Sequence, residues 1–99
     1  MKWFHKARLN RLADKLEGKG PYIKAGPIPR EKFDMEYLFS ARPCALGWML
    51  SDPWFNDRCD LGVTEAQYRR IFLATSYRAQ RNVHPRVVAK RLRVVARHG

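Results

Sequence analysis

The chain has few of the residues that mark a disulfide scaffold or a membrane segment. Its two cysteines in 99 residues are too few for a disulfide framework and are not spaced as a paired metal-binding motif. No apolar run approaches the roughly 20 residues that span a bilayer. Residues 1–6 carry charge without an apolar core, so we expect no secretion signal. These absences favour a cytoplasmic protein with reduced, buried thiols; a single bridge between Cys44 and Cys59 is the alternative.

Acidic residues are missing from the C-terminal third. The formal net charge is +11, and residues 66–99 hold nine Lys/Arg and no Asp or Glu, whereas residues 1–65 hold eleven Lys/Arg and nine acids. Eight of those nine C-terminal cations are arginines, whose planar forks suit phosphate. A folded domain gains no stability from such self-repulsion, so the charge predicts a polyanionic partner.

Patterns of catalysis or metal binding are also missing. No motif places a nucleophile beside a base, and Cys44 lies among apolar residues, where we expect a core thiol. The acidic residues of segment 52–60 lack the spacing of a calcium loop, so we expect turn hydrogen bonds and pairing with Arg58. We therefore predict a non-enzymatic protein with no metal and no cofactor. Three scattered histidines are expected at the core rim, at an N-cap and near the chain end: His5, His84 and His98.

Apolar residues recur at helical spacing, and no segment is typical of a strand. Such spacing predicts a first helix over residues 3–17. Thr64–Gln67 form a capping-box sequence, which predicts a helix over residues 64–75. Pro85 suits the first position of a final helix over residues 85–98, because its missing N–H would have no partner there.

The middle of the chain is less regular. Residues 18–30 hold three glycines and three prolines and predict a loop. A short helix is predicted over residues 33–39 with Asp34 as its N-cap, and the apolar residues 43–50 predict a buried central helix. The segments together predict an all-α, compact single domain over residues 1–99, with about five helices and a long Gly/Pro-rich loop after the first.

The final predicted helix is strongly amphipathic. On a helical wheel Val88, Leu92 and Val95 share one side, which we expect to face the core. Four cations at spacings of four, three and four fall together on the other side: Arg86, Lys90, Arg93 and Arg97. We predict that this row binds nucleic acid or another partner, extended by four more arginines: Arg69, Arg70, Arg78 and Arg81.

Short motifs in one order resemble a family of small uncharacterised phage and bacterial proteins. They are Leu-Ala-Asp-x-Leu-Glu at residues 12–17, Phe-Asp-Met at residues 33–35 and Cys-Ala-Leu-Gly at residues 44–47, followed by a basic terminal helix. The chain departs from the family at residues 41–43, where Ala-Arg-Pro stands in place of a frequent Cys-Gly-Thr. The resemblance implies a helical fold and a phage or prokaryotic setting, and it implies no activity.

Two kinds of function fit this pattern. We predict first a small protein that binds nucleic acid or a nucleoprotein through the basic C-terminal helix, because each neutralised phosphate releases counterions. The alternative is a phage-type inhibitor, such as an anti-defence or anti-CRISPR protein, that docks on an acidic surface of a host complex. Its anchors would be Trp3, Trp54 or Tyr77. A solvated basic face without a specific partner is a third interpretation, and a membrane-surface helix is disfavoured by the small apolar face.

Overall fold

Every regular secondary-structure element in the part that the structure describes is helical. A computed structural model describes residues 1–35, 44–78 and 83–98, and no strand occurs in these three segments. They contain α-helices α1 (Trp3–Glu17), α2 (Ala45–Leu50), α3 (Glu65–Phe72) and α4 (Pro85–His98), and 3₁₀ turns at Gly20–Tyr22, Arg30–Lys32, Pro53–Phe55 and Ala74–Ser76. The radius of gyration is 12.3 Å, close to the roughly 13 Å of a compact chain of this length.

The most extensive packing is between α1 and α4, the two helices furthest apart in sequence. Leu9, Leu12 and Leu16 of α1 are almost fully buried, as are Val88 and Leu92 of α4. Burial of each such side chain stabilises the fold by about 1.5–3 kcal/mol. The predicted bounds of both helices, and the predicted apolar side of the last one, are confirmed.

Gly18 ends α1 and lets the following loop fold back against it. Its φ of 67° lies in the left-handed region, where glycine pays no penalty for a Cβ. The loop returns so closely that a Cβ on Gly18 would overlap the backbone of Gly26 and Pro27. Ile28 then closes the return by donating its N–H to the carbonyl of Leu16 at 3.2 Å.

Helix α2 is shorter and less central than the helix predicted over residues 43–50. It has only six residues and begins after Cys44, whose Sγ accepts the N–H of Gly47 at 3.5 Å. Leu50 at its end is 61% exposed. The apolar residues 43–50 correctly indicated that parts of this segment are buried. They did not indicate that the segment lies at the centre of the core, which is formed by α1 and α4.

The number of helices is only partly as predicted. Four α-helices lie in the described residues, so the predicted fifth, over residues 33–39, is not confirmed. Phe33–Met35 are not helical, and residues 36–43 lie outside the described part of the chain. None of the helices in the described part is both long and apolar enough to cross a membrane.

Helix α3 begins as predicted and ends earlier. Thr64 and Gln67 form both hydrogen bonds of the capping box. After Phe72 the backbone of Leu73 turns extended, so the prediction of a helix to residue 75 was wrong. The hydroxyl of Ser76 donates to the Leu73 carbonyl at 2.7 Å, which satisfies a carbonyl that a longer helix would have bonded.

The acidic segment 52–60 forms local hydrogen bonds, as predicted, but the prediction that its carboxylates pair with Arg58 was wrong. Asp60 accepts the N–H of Gly62 at 2.9 Å. Arg58 donates to the carbonyl of Trp54 at 2.8 Å and lies over its indole ring. Both cysteines are free, Cys44 buried and Cys59 exposed, so the prediction of two buried thiols holds only for the first.

Asp52 is a buried carboxylate held by groups from α1, from the loop after it and from the turn Pro53–Phe55. The Tyr22 hydroxyl and the Trp54 N–H donate to it, and Lys15 Nζ lies 3.6 Å away. Burial raises the pKa of Asp52, but the hydrogen bonds from Tyr22 and Trp54 together with the charges of Lys15 and Arg11 outweigh it and hold the pKa below its usual value.

A matched pair of glycine variants tests the return of the loop. Gly18→Ala adds left-handed strain of about 1–2 kcal/mol and an overlap that costs roughly another 1–3 kcal/mol. Gly26 also has a left-handed φ, of 74°, but no atom lies within 4 Å of its Cβ position. Gly26→Ala should therefore add the backbone strain without the overlap. Urea unfolding should therefore show a larger loss for Gly18→Ala, and equal losses would contradict the observed packing.

The Asp52 cluster predicts a pH-dependent stability difference. Because the folded pKa is lower than the unfolded 3.8, the ionised carboxylate stabilises the fold above that pH, and this stabilisation is lost as the pH falls through the folded value. The difference in unfolding free energy between the wild type and Asp52→Asn should narrow from about pH 6 to pH 3, measured by urea titration. A constant difference would show that the charge of Asp52 does not contribute.

Candidate nucleic-acid interface

The outward side of α4 carries three exposed cations. Arg86, Lys90 and Arg97 lie there together with the exposed Val87 and Val94, and we call these five residues the α4 face. The opposite side of the helix is buried, which fixes the direction of the face. None of the three cations has an ion-pair partner in the part of the chain that the structure describes.

Arg93 does not face outward with the other three, and the prediction that placed it there was wrong. Its guanidinium lies 2.6 Å from the Asp14 carboxylate and 2.9 Å from that of Glu17, and its side chain is 29% exposed. Burial lowers the pKa of Arg93, but hydrogen bonds to these two carboxylates raise it overall. The helical wheel placed Arg93 beside the other cations and could not show that α1 supplies two acids at that edge of the row.

Arg91 borders the α4 face on its other edge, and sequence reasoning did not single it out. Its guanidinium donates to the Arg70 carbonyl at 2.6 Å and to the Ser76 carbonyl at 3.0 Å. It also lies 3.8 Å from the centre of the Tyr77 ring. Arg91 therefore ties α4 to the end of α3 and is not available to a ligand. Its only signal in the sequence is its place between the apolar and basic sides of the wheel.

The four arginines predicted to extend the row differ in how free their side chains are to contact a ligand. Arg69 lies 2.8 Å from the Glu65 carboxylate in an exposed pair, a contact of little energetic weight. Arg70 and Arg78 are exposed, and Arg81 lies outside the described residues. Arg70 lies beside α4, since it lines a groove together with residues of that helix.

An open groove runs between α3 and α4. It encloses about 250 Å³, and we call it the α3–α4 groove; its lining residues are Ala66, Gln67, Arg70, Val94, Val95 and His98. Val94 belongs both to the groove and to the α4 face, so the two surfaces are continuous. The groove was not predicted from the sequence, because it depends on how α3 crosses α4.

The histidines lie near their predicted places. His84 caps α4, since its Nδ1 accepts the Arg86 N–H at 3.0 Å. His5 is half-buried, with Nε2 3.3 Å from the Asp60 carboxylate. His98 belongs to the last turn of α4. No group of three metal-ligating side chains occurs among the described residues.

The proposed aromatic anchors are mostly covered. Trp3 is 79% exposed, but Tyr77 is only 4% exposed and was wrongly predicted as an anchor. The Tyr77 hydroxyl donates to the Ile71 carbonyl at 2.5 Å, and burial raises the pKa of Tyr77 to about 12. Trp54 is half-buried, with the Arg11 guanidinium 4.5 Å from its ring centre. The α4 face itself has no aromatic residue.

The chain matches no family model, no curated protein and no solved structure. Its resemblance to small phage and bacterial proteins therefore stays a prediction. The function has to be inferred from the α4 face and the groove beside it.

The different environments of Arg93 and Arg97 predict different stabilities. Arg93→Gln should lower the unfolding free energy by about 1–3 kcal/mol, because it removes the cation from Asp14 and leaves Glu17 with Lys19 alone. Arg97→Gln removes an exposed charge and should change the unfolding free energy by no more than about 0.5 kcal/mol. Urea unfolding of both variants measures the two values. An Arg93→Gln variant as stable as Arg97→Gln would contradict the structural role of the ion pair.

Proposed function

We propose that the protein binds nucleic acid, alone or in a nucleoprotein, through the α4 face. The observation that supports this most is the presence of three exposed cations with no ion-pair partner among the described residues, on a helix whose Arg91 and Arg93 are bonded to other parts of the fold. Exposed cations that lack such partners and repel each other are typical of a surface kept for an anionic ligand.

The spacing of the cations suits an extended polyanion. At about 1.5 Å per residue, Arg86 and Lys90 are about 6 Å apart along the helix axis, and Lys90 and Arg97 about 10.5 Å. The row therefore follows a backbone for about 16 Å. Three to four phosphate contacts, counting Arg70, give a slope of log K against log salt of about −3 to −4 on duplex DNA, or about −2 to −3 on a single strand.

An acidic protein surface is the alternative partner, as in the phage-type inhibitor. One observation favours it, the exposure of Trp3 at the start of α1. Nucleic acid is the better-supported ligand because the α4 face has cations but no aromatic anchor, and aromatic residues dominate the energetics of most protein interfaces.

A triple charge reversal tests the proposal. Arg86→Glu/Lys90→Glu/Arg97→Glu should lower the affinity for nucleic acid at least about 100-fold at roughly 0.1 M salt and flatten the salt slope by about 3 on duplex DNA. Arg93 is left unchanged because its reversal would place a third carboxylate beside Asp14 and Glu17. Fluorescence anisotropy with labelled DNA and RNA measures both quantities, and circular dichroism checks that the helices remain.

A control variant carries the same change of charge elsewhere. Lys2→Glu/Lys24→Glu/Lys32→Glu reverses three exposed lysines outside the C-terminal third, and it should keep the affinity within about fivefold. Equal losses in the two variants would mean that net charge alone attracts the ligand. A wild type that binds neither DNA nor RNA would refute the proposal and leave the acidic protein partner as the explanation of the α4 face.

A further inference from the structure

We propose that the α3–α4 groove holds a nucleobase, so that the preferred ligand is single-stranded nucleic acid. The inference rests on the proposed function, since it assigns a base to the groove beside the phosphate-binding row. Duplex nucleic acid is the competing ligand in the experiment below.

The groove lies where a base of a bound strand would reach. Val94 joins the groove to the α4 face, and it lies one helical turn from Lys90 and from Arg97. A strand whose phosphates contact these two cations would carry its bases to either side of the row. On the side of α3, the first surface that such a base meets is the groove.

The lining of the groove has the chemistry that a flat, polar-edged ring requires. Ala66, Val94 and Val95 supply apolar lining. Arg70 and His98 add planar groups to the lining, and unstacked bases pack on guanidinium and imidazole planes.

Gln67 adds a hydrogen-bond donor to the lining of the groove. Its Oε1 already accepts the N–H of Thr64 at 2.9 Å in the capping box. The amide NH₂ is therefore the end of this side chain that remains to donate, and it can meet the carbonyl and ring-nitrogen acceptors on the edge of a base.

Size and charge favour one base of a single strand. The volume of about 250 Å³ is below the roughly 300–1,000 Å³ of sites for drug-sized ligands, so it suits a single ring system. Residues 66–98 contain no acid that would repel the attached phosphates. In a duplex the bases are stacked and paired, so none can enter the groove without being flipped out of the helix.

The experiment compares three probes of equal length, about 16 nucleotides each: oligothymidylate, an abasic oligonucleotide with the same phosphates, and a duplex. Fluorescence anisotropy at fixed salt gives the affinity of each. The wild type should bind oligothymidylate at least about fivefold more tightly than the abasic strand, since stacking of one base contributes that factor or more.

Two uncharged changes of the groove test where this preference arises. Ala66→Leu fills the groove without adding an aromatic surface, and His98→Leu removes one planar group. Both should abolish the preference for oligothymidylate while leaving the affinity for the abasic strand unchanged. Ala7→Leu, at an exposed position of α1, is the matched control and should keep the preference.

The outcomes separate the two proposals. Equal wild-type affinity for oligothymidylate and the abasic strand would overturn the base site and leave phosphate binding on the α4 face intact. Tighter binding of the duplex, or a preference that survives in both groove variants, would also overturn the base site. Failure to bind any of the three probes would overturn this inference and the proposed function together.

Discussion

The packing of α4 against α1 is the constraint on which the rest of the molecule depends. It buries Leu92 and Val88 against the leucines of α1, and this burial fixes the rotation of α4 about its own axis. A rotation by one residue, about 100°, would bury a cation and expose a core side chain. The direction of the basic row is therefore set by the hydrophobic contact behind it. Arg93 reinforces the same rotation, because only this arrangement brings its guanidinium to Asp14 and Glu17.

The net charge of the C-terminal third overstates the charge that it offers to a ligand. Two of its nine cations, Arg91 and Arg93, are bound inside the fold, and Arg69 has an acidic neighbour on its own helix. The acids that balance Arg93 come from α1, which explains how a segment without Asp or Glu can pack in a folded chain. Among the described residues, the exposed cations that remain are Arg70, Arg78 and the row on α4 (Arg86, Lys90 and Arg97). The groove beside this row has walls from two helices.

Features set by neighbouring residues could be predicted from the sequence, and features set by distant ones could not. The bounds of α1 and the capping box at Thr64 and Gln67 depend on local spacing and were correct. The burial of Tyr77 and the pairing of Arg93 depend on elements far away in the chain, and both were predicted wrongly. A helical wheel gives the angle of a side chain but not the identity of its neighbour.

The ion pairs of Arg93 also bear on how the chain folds. They join residues 76 and 79 positions apart, whereas contacts in most helical bundles are local. Closing a loop of this length costs conformational entropy before the contact can stabilise the chain, and proteins rich in distant contacts fold slowly. A helical protein whose core is formed by helices this far apart in sequence should therefore fold more slowly than a bundle of the same size with local contacts.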